Sequence, residues 1–443
     1  MRVWLSRVAA ILTCAAVVFP AWAYGGAESW AVRMFAVLVM FAVVVSVISC
    51  LSEHRELWLL SWVWLVGVFV LLVFYIAVQA LNPSHVYNAV YNSLEPIWHF
   101  TWLPSSVSAP CTIRALLLLI VCGGLFWLSS LLLSARYIYA ILLVIIFSAV
   151  SMAVLSLLQG GEHKLWDPVG MFLNANSFSA YMNLIFPVTL ACARELQRMA
   201  RRNGAPSNPG VLLYFCAGIM VVSVLLSGSR AGGIIAVALL LGWTAVEWAE
   251  SQRKGMTRRR KIVRVILPLV IVAGLMALFG ADIIFREAER SEKYLAGDIR
   301  TRFIAAWGAL RMFADHPVFG TGAGTFNVAF VYYQPDSLTG FYRHAHNDWA
   351  QWLAELGSVG AVLGGLCLTL VFRLKPANMR RDISSLIVRG MALGLAGTAV
   401  HALLDFPFRI PGIIAIAAVW FGFIARRGWG AARPMVLEKG TSH

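Results

Sequence analysis

The chain has 443 residues, of which 60% are hydrophobic and only 13% charged, and its 36 Lys and Arg against 21 Asp and Glu give a formal charge of +15. Soluble globular domains hold about 45–50% apolar and about 25% charged residues, so composition excludes that class and predicts an all-α polytopic membrane protein. At roughly 20 residues per crossing, the apolar segments predict about twelve transmembrane helices, near 4–23, 30–51, 57–80, 113–134, 136–158, 176–193, 211–227, 229–248, 262–281, 349–373, 386–406 and 410–426. The chain is expected to form a single integral membrane domain over 1–443.

The first segment, Met1 to Ala23, has basic residues, an apolar core and an Ala21-Trp-Ala23 ending, which fits a signal peptide. A retained first span is preferred, because polytopic proteins insert through their first helix. Placing both termini in the cytoplasm puts about two thirds of the 36 Lys and Arg residues on that side, concentrated in the short connectors 194–210 and 249–264. That asymmetry is what positive-inside insertion requires. It accounts for most of the positive charge, so a nucleic-acid partner is not implied; the partner that composition does imply is the lipid bilayer. The seven cysteines are scattered, mostly within apolar segments, without CxxC or metal-ligand spacing. They predict neither a disulfide framework nor a zinc site.

Two outer segments are long. Residues 81–112 hold Asn82-Pro83, Glu95-Pro96, Trp98, Trp102 and Pro104, which predicts an irregular, partly interfacial loop. The larger one, 282–348, is read as a periplasmic loop within the membrane domain. It opens with a charged stretch from Arg286 to Arg300. Within it, Ile299, Phe303, Ala306, Trp307, Leu310 and Phe313 keep the helical period, with Arg300, Arg302 and Arg311 at the edges. This predicts an amphipathic helix on the outer membrane surface or over the bundle. Pro317 ends it, and Gly320-Thr-Gly-Ala-Gly324 follows as a turn-rich passage. No strand precedes these glycines, so they are not a dinucleotide fingerprint.

His344-Ala-His346-Asn-Asp348 then opens the next apolar segment. Asn347 or Asp348 can cap that helix, and Asp348 with Gln351 resembles a capping box. The polar residues that topology gathers on the outer face are Asn174 and Asn176, Ser227-Gly-Ser229-Arg230, the 282–348 loop, and His401-Ala-Leu-Leu-Asp405-Phe-Pro-Phe-Arg409. The inner face shows only basic connectors. A one-sided set of Arg, His, Asp and Asn at the membrane edge suits an anionic, membrane-anchored substrate. Arg230, in a short connector between spans, binds either phosphate or a structural partner such as Asp405. With Arg302, Arg343 and Arg409 on the same side, guanidinium forks can hold phosphate without a metal. His346, just outside a helix start, is a candidate base or a capping residue, and His344 has the weaker case. His401 and Asp405, one turn apart, could pair in support. Asn174 and Asn176 either contact sugar or phosphate, or cap and turn the chain.

These residues resemble a family. His346-Asn347, nine residues, then Gly357-Ser-Val-Gly360 is similar to the signature of the bacterial O-antigen ligase and polymerase superfamily. Asp315-His-Pro-Val-Phe-Gly-Thr-Gly-Ala-Gly-Thr-Phe326 and the HALLDFPFRIP stretch look like companion features. One departure is Ala361, where the family often has Thr or Val. The resemblance covers about 170–426, while the first five spans match only in hydropathy. It implies an inner-membrane glycosyltransferase of the GT-C type with a periplasmic active site. Such enzymes move a glycan from undecaprenyl diphosphate to an acceptor sugar hydroxyl, on lipid A–core for ligases and on another lipid-linked repeat for polymerases. The implied catalytic residues are Arg230, Arg302 (Arg300 being close enough to compete) and His346. Arg343, Arg409, Asn174, Asn176 and Asp405 are expected to line the substrate, and no cofactor or metal is expected. A lipid transporter is the competing class, but no internal repeat accompanies the one-sided charges.

Overall fold

The computed structural model describes residues 2–52, 62–88, 93–159, 169–204, 210–279, 299–373 and 383–427. A helix occupies each segment expected to span: α1 Arg2–Trp22, α2 Ser29–Ser52, α3 Val63–Leu81, α4 Ala109–Trp127, α5 Ile138–Leu158, α6 Ala175–Arg202, α7 Gly210–Leu225, α8 Arg230–Arg253 and α9 Arg258–Phe279. After α10 (299–315) and a single turn α11 (Phe326–Ala329) come α12 Asp348–Arg373, α13 Ser385–His401 and α14 Pro411–Arg427. The fold is all-α and polytopic. Among the described residues, seven of these helices are long and apolar enough to cross a membrane, namely α1–α5, α8 and α12.

The remaining expected spans are shorter or more polar, and α6 shows why. It carries Asn176, Ser179, Asn183, Thr189 and Arg194, yet its side chains are buried almost continuously from Ser177 to Arg194. It packs on α5, α7, α8, α13 and α14. A helix enclosed by other helices meets no lipid, so its hydrogen-bonded polar groups need not be apolar. By contrast α2 exposes Trp30, Met34, Val37, Phe41, Val44, Ile48 and Leu51 at helical spacing, as a lipid-facing side requires. The α1 helix is built into the bundle, with Ala16, Val17 and Ala21 fully buried.

The 81–112 segment is more regular than its sequence suggests. Strands β1 (His85–Asn88) and β2 (Ser93–Pro96) pair antiparallel, with His85 opposite Pro96. The charged stretch from Arg286 lies outside the described residues up to 298, as do the basic segments 53–61, 374–382 and 428–443. The end of the bundle expected to face inward is not merely basic where it is described. Glu250 meets Arg198 at 3.2 Å, Arg389 at 2.9 Å and Lys254 at 2.9 Å, and buried Glu247 lies 3.3 Å from Arg194.

The most consequential departure lies in α12, which breaks at Gly357 (φ 61°, ψ −169°). A glycine in an apolar helix commonly serves close packing; Gly357 is instead a left-handed break that frees backbone groups. Thr321 N–H donates to the Ala354 carbonyl (2.9 Å) and Gly322 N–H to that of Glu355 (2.9 Å), while Ser358 N–H donates to Pro317 (2.8 Å). From α3, Tyr75 Oη donates to the Leu356 carbonyl at 2.7 Å and Gln79 Nε2 to that of Phe319 at 2.8 Å. The glycine passage therefore docks into the break and repairs it, as buried irregular backbone in a membrane must be repaired. Gly360 does serve packing, with Tyr75 close to where a Cβ would stand.

This docking also orients α10. Pro317, just past its end, is bonded to Ser358, ten positions into α12 and hence about 15 Å along a helix axis. Ala305, Ala309 and Met312 share a small core with Ala345, Ala350 and Ala354, so α10 stands along the N-terminal half of α12. The expected amphipathic helix is present. Its large apolar residues Ile299, Phe303, Trp307 and Leu310 point outward, however, because only the small side chains allow close approach to α12.

Candidate active site

His346 opens the site with a backbone conformation that L-residues seldom adopt, φ 53°. It stands one residue before the cap of α12. The cap is Asn347, whose Oδ1 accepts from Ala350 N–H at 3.0 Å. Asp348 and Gln351 do not form the expected capping box: Gln351 Oε1 accepts from Ala345 N–H (3.1 Å), and Asp348 turns to Arg409.

The turn after α13 is clamped onto this helix start. Asp348 N–H donates to the Ala402 carbonyl (2.9 Å), Asn347 Nδ2 to Leu403 (3.1 Å) and Arg302 Nη1 to Leu404 (3.1 Å). Three successive carbonyls are thereby fixed, and the next residue is Asp405. Its buried carboxylate faces His346 through Oδ1, 3.4 Å from Nδ1, and Arg302 through Oδ2, 3.6 Å from Nη1. Burial would raise the Asp405 pKa, but the His346 contact and the charges of His346, Arg302 and His401 outweigh it and hold the carboxyl below its usual value. An ionised partner at Nδ1 favours the tautomer with the proton there, leaving Nε2 as the basic nitrogen. Phe406 packs on both histidines, with centroids 4.4 Å from His344 and 5.1 Å from His346.

His344 is half-buried, and burial, followed by the charges of Arg409, His346 and Arg343, lowers its pKa to about 3. It stays neutral under ordinary conditions. Arg302 occupies the cluster, whereas Arg300, two residues and about 200° away around the helix, is exposed. Arg343 is exposed beside the histidines.

The expected pairing of His401 with Asp405 is not made. Both ring nitrogens of His401 are buried without a partner. Nor does Asp405 pair with Arg230. Arg230 heads α8 on a separate polar group, in which Ser229 Oγ donates to Asn176 Oδ1 (2.7 Å) and Asn174 Oδ1 caps α6 by accepting from Ser177 N–H (2.8 Å). Arg230 itself is exposed.

Arg409 is engaged on both sides, with Nε 3.2 Å from Asp348 Oδ1 and Nη1 2.7 Å from Glu355 Oε2. Two buried carboxylates balance its charge, which suits a strut more than an open phosphate fork. Glu355 is the hub that the sequence reading passed over. It also accepts from Gly324 N–H (2.9 Å), Phe326 N–H (3.2 Å) and Gln351 Nε2 (2.8 Å), tying the glycine passage to the helix below His346. The available signal was its cost: a lone carboxylate inside an apolar segment requires partners.

Residues 215–364 match the sequence model of the O-antigen ligase family. This segment is similar to the O-antigen ligase family. This supports its place in the O-antigen ligase and polymerase superfamily, and with it glycan transfer on lipid-linked substrates in a membrane. The matched segment contains Arg230, Arg302, His346, Glu355 and the α12 break. Asn174, Asn176, Asp405 and Arg409 lie outside it. No curated protein matches the chain significantly.

Proposed function

We propose that the protein is an inner-membrane glycosyltransferase that moves a glycan from undecaprenyl diphosphate to an acceptor sugar hydroxyl, ligating O-antigen to lipid A–core. Twelve spans of GT-C type, cytoplasmic termini and a periplasmic site complete the proposal. The observation that carries it is the Asp405 carboxylate shared between His346 and Arg302. It joins a base to a phosphate-binding group.

In this mechanism the acceptor oxygen attacks the anomeric carbon while its proton passes to His346 Nε2. The bond from that carbon to the phosphate oxygen breaks, and its electron pair leaves with the diphosphate. Attack from the face opposite the leaving group inverts the centre. Arg302 stabilises the departing charge, and Arg230 at the head of α8 meets the diphosphate from the other side. Asp405 is reassigned from substrate contact to holding His346 in the basic tautomer. The arginines take the place of a metal, so EDTA leaves the rate unchanged; loss of activity restored by magnesium contradicts this.

Reconstitution in proteoliposomes with a lipid-linked glycan and either lipid A–core or a second lipid-linked unit tests the function. Product on lipid A–core is expected. Product only on the lipid-linked unit makes the enzyme a polymerase of the same superfamily. Lipid scrambling without transfer makes it a transporter and overturns the proposal.

A further inference from the structure

The outward face of α10 carries an apolar stripe that the described structure leaves uncovered: Ile299, Phe303, Trp307 and Leu310, with Phe303 69% and Trp307 57% exposed. Val318, 51% exposed, continues it to the α12 break. The stripe begins at the turn that bears Arg302 and runs along the N-terminal half of α12. Its edges are charged, with Arg302 on one side and exposed Arg300 and Arg311 on the other. The exposed sides of α3 and α5 belong to helices without a charged residue, and that of α2 has one arginine, Arg33, near its start, whereas three arginines flank the α10 stripe along its length. An ordinary acyl-facing surface requires no row of arginines along it, whereas a surface for a chain that ends in phosphate needs guanidinium at its head.

We propose that this stripe is the docking track for the polyprenyl chain of the donor, which lies along Phe303, Trp307 and Leu310 with its diphosphate at the Arg302 end. This rests on reading the site as one for a lipid-linked diphosphate. Proximity to Arg302 favours this face for such a substrate. A diphosphate at Arg302 sits within a few ångströms of Asp405 and His346, and the chain attached to it must leave along an apolar surface. The stripe starts one residue away. The small residues on the opposite face keep α10 fixed to α12, so the track has a fixed register to the base.

The test uses the full-length protein in nanodiscs and undecaprenyl diphosphate bearing a diazirine in its chain. Photolabelling is expected within 299–318, to be displaced by unlabelled undecaprenyl diphosphate, and to fall at least fivefold in Phe303→Ser/Trp307→Ser. Both positions face outward, so the variant folds, as thermal unfolding will show. Labelling elsewhere, or displacement by the same excess of phosphatidylglycerol, overturns the track and leaves an ordinary lipid surface. In transfer assays the double variant is expected to raise KM about tenfold for the long-chain donor, with kcat and KM for a short-prenyl donor unchanged. Equal effects on both donors count against the track. If the wild-type protein transfers nothing while labelling behaves as expected, the transferase reading fails and the track stands. Normal transfer with unspecific labelling is the converse result.

Discussion

Asp405 presents one oxygen to the proposed base and the other to the proposed phosphate ligand, so replacing its charge without changing its shape separates position from chemistry. In Asp405→Asn the amide can donate to His346 Nδ1, which moves the imidazole proton to Nε2 and removes the acceptor of the substrate proton. We expect kcat to fall by about 10²–10⁴, with normal yield and thermal unfolding, and His346→Ala to be no more active. Full transfer by either variant refutes the assignment. A second prediction concerns His344, whose imidazole takes up a proton near 6.5 in the unfolded chain but only near 3 when folded. Between those values the unfolded state binds more protons, so stability falls as pH drops, by at most about 1.4 kcal/mol per unit. The depressed Asp405 carboxyl contributes stability that is lost only below its unfolded value of 3.8, outside the upper part of this window. On going from about pH 7 to about pH 4.5, His344→Gln should therefore lose less melting temperature than wild type. Equal losses would show that His344 does not limit acid stability. His346, Arg302 and Arg230 could be singled out from the sequence because titratable or cationic groups at a membrane edge are costly. The 3.4 Å contact between His346 and Asp405 could not, since it depends on how the turn after α13 meets the start of α12.

At the level of elements, the decisive feature is the break in α12 and the glycine passage that fills it. A Cβ at position 357 would stand 2.3 Å from the Val318 carbonyl oxygen, in a left-handed conformation as well. Gly357→Ala should cost about 2–4 kcal/mol, measured by thermal unfolding in detergent, and should reduce transfer by loosening the helix that carries His346. Gly340 provides the control. Its φ is also positive (+97°), but nothing lies within 4 Å of a Cβ there. Gly340→Ala should cost on the order of 1 kcal/mol; if it matches Gly357→Ala, backbone strain and not the docked passage explains both. The existence of these elements was legible, because apolar runs and the α10 period are written in local spacing. The break was not. A glycine that tightens packing and a glycine that reverses the chain look alike until the donors that satisfy its carbonyls are seen. The orientation of α10 was hidden for a related reason: its aromatic stripe looks like the buried face until Ala305 and Ala309 are seen to meet alanines of α12.

Across the whole molecule, hydropathy under-reads the enclosed helices, since α6 buries its polar residues against other helices and not against lipid. Sidedness is the property on which the function depends, because donor and acceptor glycans must reach His346. Among the described residues, the Arg198–Glu250–Arg389 network lies at one end of the bundle, where α8 terminates, and the His346–Asp405–Arg302 cluster lies toward the other, where α8 begins. The basic connector between α8 and α9 joins the first end, and the proposed topology places it in the cytoplasm, on the positive-inside rule. Thr257 and Asp336, both exposed, report on the two ends. With the seven native cysteines replaced by alanine, Asp336→Cys should react with a membrane-impermeant thiol reagent in intact spheroplasts, and Thr257→Cys only after permeabilisation. The opposite pattern would turn the cluster toward the cytoplasm, where no periplasmic acceptor could meet it, and would remove the ligase reading even if every residue-level variant behaved as expected. Labelling of both positions without permeabilisation would indicate leaky membranes, which a cytosolic marker enzyme detects independently. The side on which His346 stands thus decides which acceptors the same chemistry can serve.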